Sequence, residues 1–316
     1  MKYQPIDLSL VTTYPIAERN NKVSVARHFA GAVEAGITVS GLLDILPRQL
    51  GAQALKSVIA AVVTAREKGK PVIMALGGHV IKCGLQPVLK SLVDADVVTA
   101  FALNGSGAIH DYEISLIGET SEDVGAVLHC GAFGMAEETG RDINRAVKEG
   151  VGKGFGFGEA VGKFILANNN PHRDYSLLAL CAERDIPATV HVAMGTDIIH
   201  QHPEADGAVI GAATFTDFRI FTSVVSELGD GGVFLNIGSA VILPEVFLKA
   251  LSIAQNLGRH VDGFTTANFD MTQHYRPLQN VVNRPTLGNS HGYALTGHHE
   301  IMIPLLAAGI LEAVQR

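Results

Sequence analysis

The chain has 316 residues, 47% hydrophobic and 17% charged, with 34 glycines, no tryptophan and 6% aromatic residues. That composition excludes a disordered tail, a fibre and a small disulfide scaffold, and suits a layered α/β protein rich in tight turns. Twenty-four Lys and Arg against 31 Asp and Glu leave a formal net charge of -7, which disfavours the phosphate backbone of nucleic acid.

The segment from Met1 to Pro15 has neither a basic n-region nor an apolar h-region, and no stretch reaches the roughly 18 apolar residues of a membrane span. Cys83, Cys130 and Cys181 make an odd, widely spaced set that fits a reducing compartment, so a cytoplasmic location is expected. A mean hydropathy of +0.24 predicts apolar surface shared between subunits, hence a homo-oligomer.

Without a linker, repeat or low-complexity tract, the chain reads as one α/β domain over 1–316, with about residues 1–50 an N-terminal extension of open structure. Within the extension, Glu18 to Lys22 reads as a solvated turn, with a substrate loop as the alternative. Helical patterns follow at about 51–68, 80–94, 108–117, 175–185, 214–228, 244–257 and 299–314. Between them lie apolar runs expected as strands, at 71–76, 95–103, 186–194, 232–237 and 262–269. The alternation predicts a doubly wound, mainly parallel sheet with helices on both faces, Rossmann-like, whose ligands sit beyond the carboxyl ends of the strands.

The loops at those ends carry the candidate chemistry. After 71–76 come Gly77, Gly78 and His79, whose bare backbone suits an anion at a helix start; a plain tight turn is the alternative. After 95–103 come Asn104, Gly105, Ser106 and Gly107, then His110, Asp111 and Glu113. The first group can cradle a cofactor, and His110 and Asp111 can do acid/base work; a solvated first turn is the other reading of the acids. After 186–194 come Asp197, His200 and His202. With His191 these histidines form an alternative zinc or iron site, although their spacing matches no diagnostic metal motif. Gly238 and Ser239 follow the fourth run, before a helix with Pro244 in its first turn. Thr266, Ala267 and Asp270 lie in or just after the fifth, and a polar stretch runs on to His298, His299 and Glu300. The alternating glycines of 152–158 lack a preceding strand and a Rossmann spacing, and are expected to form a lid or entry loop bearing Lys153 and Lys163.

From about residue 70 onward, the order of these features resembles deoxyhypusine synthase and its homospermidine synthase relatives. Gly77 to Gly84 stand in the place of that family's cofactor loop, and the run ADVVTAF followed by NGSG in the place of its DVLVTTAGG loop. Asp142-Ile143-Asn144-Arg145 is similar to its Gly-Ile-Asn-Arg segment, and Tyr175 to Met194 with Asp197 to its stretch ending in Ala-Leu-Thr-Asp-Gly. Residues 231–241 are similar to its Gly-Met-Ile-Ile-Leu-Gly-Gly-Gly-Val-Val, and 266–270 to its Thr-Ala-Gln-Glu-Phe-Asp. The resemblance implies a tetramer binding NAD between subunits. It implies a cofactor lining of Gly78, His79, Asn104, Gly105, Ser106, Asp197, Gly238, Ser239, Thr266, Ala267 and Asp270.

One departure bears on chemistry. Where the family has Ser-Trp-Gly-Lys, this chain has Thr296-Gly297-His298, so the amine that carries the family's imine is replaced by histidine. The family's His-His falls on apolar positions around Ile242 to Pro244, and acidic residues to grip a polycation are not evident. The expected function is a diverged NAD-binding enzyme acting on an amine or small polar substrate, with His298 or His110 as acid/base and Asp111 and Glu300 beside them. A metal-dependent hydrolase or lyase and a non-catalytic nucleotide sensor are the alternatives.

Overall fold

The computed structural model describes residues 2–315. Six strands, β1 (Val72–Leu76), β2 (Ala100–Asn104), β3 (Ala188–His191), β4 (Val233–Ile237), β5 (Thr265–Asp270) and β6 (His291–Thr296), form one sheet. Their order is β3-β2-β1-β4-β5-β6, and every pairing is parallel. The chain winds outward from β1 to β3, returns past β1, and winds the other way through β4 to β6. The winding therefore reverses between β1 and β4, where a doubly wound sheet opens its ligand crevice.

Strand periodicity divides the core in two. Val72, Met74 and Leu76 of β1 pack on one face with the helices Leu50–Glu67, Gln86–Asp94, Leu177–Arg184 and His299–Val314. Ile73 and Ala75 pack on the other with Gly207–Val225 and Ile242–Asn256. Both faces of β1 and β4 are wholly buried, which is why these strands, Asn236 apart, are apolar rather than alternating. Each fully buried Ile, Leu, Val or Phe contributes about 1.5–3 kcal/mol of transfer free energy, so the central strands are the most strongly specified part of the fold.

Among the described residues one helix, Gly207–Val225, is long and apolar enough to cross a membrane. Here it is the β3-to-β4 crossover, with Ile210, Ala213, Phe221, Val225 and the carboxyl group of Asp217 buried.

Several elements differ from the sequence expectation. The helix expected at 80–94 is two pieces, Gly78–Lys82 and Gln86–Asp94, because Gly84 takes a left-handed turn (φ +71°). The strand expected from residue 95 begins at Ala100, after a turn at Asp96 (φ +53°). Strand β6 was expected as polar loop; it is an edge strand with most of its side chains outside the core. The helices Glu137–Val151 and Phe157–Ala167 were not anticipated either.

The second of these helices overturns the lid expectation for 152–158. Phe157 is fully buried, and a β-carbon on Gly158 would stand 1.8 Å from the Ala188 carbonyl oxygen. Gly158 lets a helix press against β3, and Gly156 abuts the carboxyl group of Asp217. Lys163 pairs with Glu159 at 2.9 Å, and its ammonium sits 4.5 Å from the centre of the Phe155 ring.

Residues 2–36 run along the outside, with Tyr3, Ile6 and Leu10 exposed. Before the main fold begins they form only the turns Ile16–Glu18 and Val25–His28.

Candidate functional site

The register Leu76 against Ile237 brings the ends of β1 and β4 level, so the Gly77 and Gly238 loops lie side by side. The Gly77 N–H donates to the Ile237 carbonyl (2.8 Å), and the Gly238 N–H to the Phe269 carbonyl (3.0 Å). A β-carbon on Gly77 would be 2.1 Å from the Gly238 carbonyl oxygen, and Gly238 itself has φ +68°. Only glycine satisfies both positions without displacing backbone. Gly78 is equally confined, since its β-carbon would fall 2.2 Å from Ser106 Oγ. Beside this crevice His79 is exposed, while Ser239 is buried and its Oγ accepts from the Leu243 N–H (3.2 Å).

At the end of β2, Asn104 caps its own helix, Gly105–Ile117. Its Oδ1 accepts from the Gly107 N–H (3.0 Å) and from Ser106 Oγ (3.2 Å). Gly105 is pressed against Asp197, whose Oδ2 would be 2.1 Å from a β-carbon there. That oxygen is buried and has no hydrogen-bond partner among the described residues, and burial raises the Asp197 carboxyl above the usual carboxylate range.

A cleft of about 930 Å³ opens beside these residues, walled by the helix Gly105–Ile117, the segment 119–139 and the turn at Asp197. Its ionisable lining is Glu113, Glu119, Glu122, Glu138 and Asp197 against Lys82 and His110. The acidic cluster not evident in the sequence is therefore present, assembled from the helix Gly105–Ile117, the segment that follows it, the start of the helix Glu137–Val151 and the turn at Asp197. Within the cleft wall Thr120 donates to Glu113 Oε2 (2.5 Å), Thr139 donates to Glu113 Oε1 (3.0 Å), and His110 Nδ1 lies 2.7 Å from Thr120 Oγ1. Thr120 has one hydroxyl hydrogen, and it is spent on Glu113. His110 Nδ1 is then the donor, and Nε2 carries the free lone pair. Burial pushes Glu113 upward, but the His110 ring 3.9 Å away and the hydrogen bonds from Thr120 and Thr139 outweigh it and hold the carboxyl below its ordinary value.

Asp111, expected beside His110 as acid/base, faces the opposite way. It is fully buried and accepts from Ser176 Oγ (2.5 Å), Leu177 N (2.7 Å) and Leu178 N (3.0 Å), capping the helix that leads to β3. Burial raises it to about 6 despite these bonds. Its role is to join two elements, because helix geometry turns adjacent residues about 100° apart.

Of the β5 positions expected to line the cofactor, only Asp270 is at the carboxyl edge. Thr266 lies inside the strand with its hydroxyl on the Val281 carbonyl (2.7 Å), and Ala267 is buried in the core, so neither reaches the crevice. After β6, His298 and Glu300 are exposed, 3.8 Å apart, in the first turn of the last helix. His299 turns inward instead. It is buried, its ring lies 5.9 Å from that of His79, and its Cε1 would be 2.9 Å from a β-carbon on Gly238.

Beneath these loops a line of amides crosses the sheet. Asn236 Nδ2 donates to the Ser239 carbonyl (2.9 Å) and to Asn268 Oδ1 (2.7 Å). Asn268 Nδ2 donates to Gln273 Oε1 (2.7 Å), and Gln273 Nε2 to the Leu295 carbonyl (3.1 Å). Asn236, Asn268 and Gln273 were not singled out from sequence, and His299 was named only within the polar stretch that follows the fifth run. The signal available there was Asn236 inside the otherwise apolar run of β4.

The three histidines of the metal alternative do not converge. His191 lies in the core, edge-on to Phe221 with centroids 5.3 Å apart, and burial depresses it to about 3. His200 Nδ1 accepts from the N–H groups of Gly195 (3.1 Å) and Asp197 (3.3 Å), and His202 Nε2 meets the Gly134 carbonyl at 2.8 Å. Among the described residues no group of three His, Cys, Asp or Glu side chains is placed to hold a metal ion.

A parallel sheet of order 3-2-1-4-5-6, with glycine loops at its reversal point and helices on both faces, defines a doubly wound, Rossmann-like α/β protein. No protein-family model matches the sequence, and no curated protein matches it. By structure the chain is similar to AgrE in its ternary complex with ornithine and NAD+, with a TM-score of 0.52 and 14% identity over 83% of this chain and 33% of that one. It is similar also to ArgZ, an arginine dihydrolase from the ornithine-ammonia cycle in cyanobacteria, with a TM-score of 0.50 and 15% identity over 83% and 32%. A third structure, an Entamoeba histolytica protein assigned as a deoxyhypusine synthase, has a TM-score of 0.49 and 12% identity over 89% and 96%. This chain spans about a third of the AgrE and ArgZ chains. At these identities what the proteins share is the fold.

Proposed function

We propose that this protein is an NAD-dependent enzyme that oxidises a cationic amine and does not use a lysine-bound imine. The observation that carries the reading is the position of Ser106, which abuts Gly78 beside the reversal point of the sheet and also lines the acidic cleft, so a cofactor at the glycine loops would adjoin a substrate in the cleft.

The residues present suit a dinucleotide in two respects. Bare glycine backbone at Gly77, Gly78 and Gly238 permits close approach, and His299 and Asn236 each keep a buried polar atom without a partner beside those loops. Gly78, Gly238, Ser239 and Asp270 are the residues that would hold it. β2 ends on Asn104 rather than an acid, so ribose recognition by a carboxylate there is not part of the proposal. NAD, when bound, would accept a hydride from the substrate.

The chain's own groups do the rest. Four glutamates and Asp197 attract an ammonium group, and of these Glu113 and Asp197, which are partly buried, are screened less than surface charges. His110 Nε2 takes a proton from the ammonium, which frees the nitrogen lone pair that supports C–H cleavage. The Thr120 hydroxyl and the Glu113 carboxylate fix the tautomer and steady the imidazolium that results. His298 stands where the resemblance places a lysine, and imidazole does not conserve a transferred group as a stable imine.

The test is calorimetric titration of NAD into the untagged protein, followed by the absorbance of reduced cofactor on adding 1,4-diaminobutane or related diamines. The expected result is micromolar NAD binding and amine-dependent reduction. Absence of NAD binding at millimolar concentration overturns the reading.

A further inference from the structure

His299 holds a buried lone pair that no partner among the described residues satisfies. Its Nε2 lies 3.3 Å from the Phe269 carbonyl oxygen. A carbonyl only accepts, so Nε2 carries the hydrogen, and in the neutral ring Nδ1 is an acceptor. Nδ1 is buried and has no partner. An unpaired buried acceptor costs about 1–3 kcal/mol, so a donor from outside the chain is expected to complete it.

Asn236, two residues before Gly238, repeats the pattern. A flip of its amide is excluded, because the Ser239 carbonyl that it meets can only accept. The amide line runs with fixed polarity from there to the Leu295 carbonyl, using both Asn236 Nδ2 hydrogens and leaving Asn236 Oδ1 over. The two unpartnered buried atoms nearest Gly238 in the fold are therefore both acceptors. Two acceptors repel a phosphate oxygen and favour a hydroxyl or an amide N–H.

We propose that His299 is a ligand-positioning residue whose Nδ1 accepts a hydrogen bond from an uncharged donor of the bound nucleotide. The crevice at Gly238 then takes a ribose hydroxyl or carboxamide end of the ligand, and the phosphates lie elsewhere. The inference rests on the nucleotide reading above.

The experiment measures binding of NAD, adenosine, nicotinamide riboside and inorganic pyrophosphate to wild type, His299→Leu, His299→Asn and His299→Gln, with thermal unfolding of each. Asparagine restores a polar atom near the place of Nδ1, whereas glutamine moves it toward Nε2. The expected result is that Leu and Gln weaken NAD about five- to tenfold, the factor of one neutral hydrogen bond, while Asn stays within twofold and pyrophosphate is unmoved. Whichever nucleoside loses affinity in step with NAD identifies the end that reaches His299. Should the Leu variant fail to fold, the contrast between Gln and Asn decides.

If wild type binds NAD and all three variants bind it equally, His299 is structural or water-paired, and the inference falls while the nucleotide reading survives. A wild type that ignores NAD but binds a nucleoside weakened by His299→Gln removes the cofactor and keeps the inference. Failure to bind any nucleoside overturns both.

Discussion

A β-carbon on Gly77 would stand 2.1 Å from the carbonyl oxygen of Gly238, so the loops that close β1 and β4 meet backbone to backbone at the point where the sheet reverses. That contact sets the width of the crevice. Gly77→Ala is expected to cost about 1–3 kcal/mol through forced separation of the loops, and to weaken nucleotide binding as well. Gly51, exposed in the first turn of the helix Leu50–Glu67 with open space around it, should behave oppositely, gaining up to about 0.5 kcal/mol as Ala. Denaturant midpoints at constant slope measure both, and equal effects at the two sites would show that the loops do not touch as described.

The arrangement of His110, Thr120 and Glu113 predicts a graded loss of amine oxidation. His110→Ala should lower kcat about a hundredfold or more by removing the base. Thr120→Val should lower it less, since Nε2 remains but the tautomer is no longer dictated. In neither variant should NAD affinity change, because none of these side chains borders Gly238. A Thr120→Val enzyme with the pH profile and kcat of wild type would exclude the relay.

Asp217 ties three elements together. Its Oδ2 accepts from the N–H groups of Gly158 (2.9 Å) and Val190 (2.7 Å), and burial raises the carboxyl to about 7 although the backbone donors of Val190, Gly158 and Phe157 oppose it. The native state therefore keeps a proton that the unfolded chain, at its ordinary value of 3.8, has released. Stability from this group is full below about pH 4 and is lost as pH rises through 7, and Asp111, raised to about 6, adds in the same direction. Asp217→Asn should flatten the fall of unfolding free energy between pH 4 and 7, which urea titrations across that range would record. Asp217→Ala should cost several kcal/mol, because two buried N–H groups lose their acceptor.

Asn268→Leu interrupts the amide line that runs from β4 through β5 and Gln273 to β6. It leaves Asn236 Nδ2 without one of its two acceptors and Gln273 Oε1 without its donor. The expected cost is about 2–4 kcal/mol, read from the denaturant midpoint. The double variant Asn236→Leu/Asn268→Leu should recover part of it, as removing both partners spares the orphaned atoms. A fully additive pair would mean that the two amides are not coupled.

Short apolar runs with no polar face announced β1 and β4, because a strand buried on both sides has no alternation to hide. β6 escaped notice for the converse reason. An edge strand has one neighbour, so His291, Ala294 and Thr296 remain in solvent and the sequence carries polar-loop character. The helices at 137–151 and 157–167 were obscured by glycines that read as flexibility. In the fold Gly150, Gly158 and Gly162 are the points of closest packing, where any side chain would strike Ala160, the Ala188 carbonyl or the Leu178 carbonyl.

By itself the sequence determined the α/β alternation, the parallel sheet and the strand ends at which to look, since those follow from hydrophobic period and turn residues that act locally. Tertiary structure alone decided which polar groups share a space. Asp111 and His110 are chain neighbours on opposite faces of one helix, and His298 and His299 differ by one residue yet face solvent and crevice respectively. The glutamates of the cleft come from segments brought together only by folding. A site is a coincidence in space, and direction along a helix changes by about 100° with each residue, so residue type and chain position do not determine it.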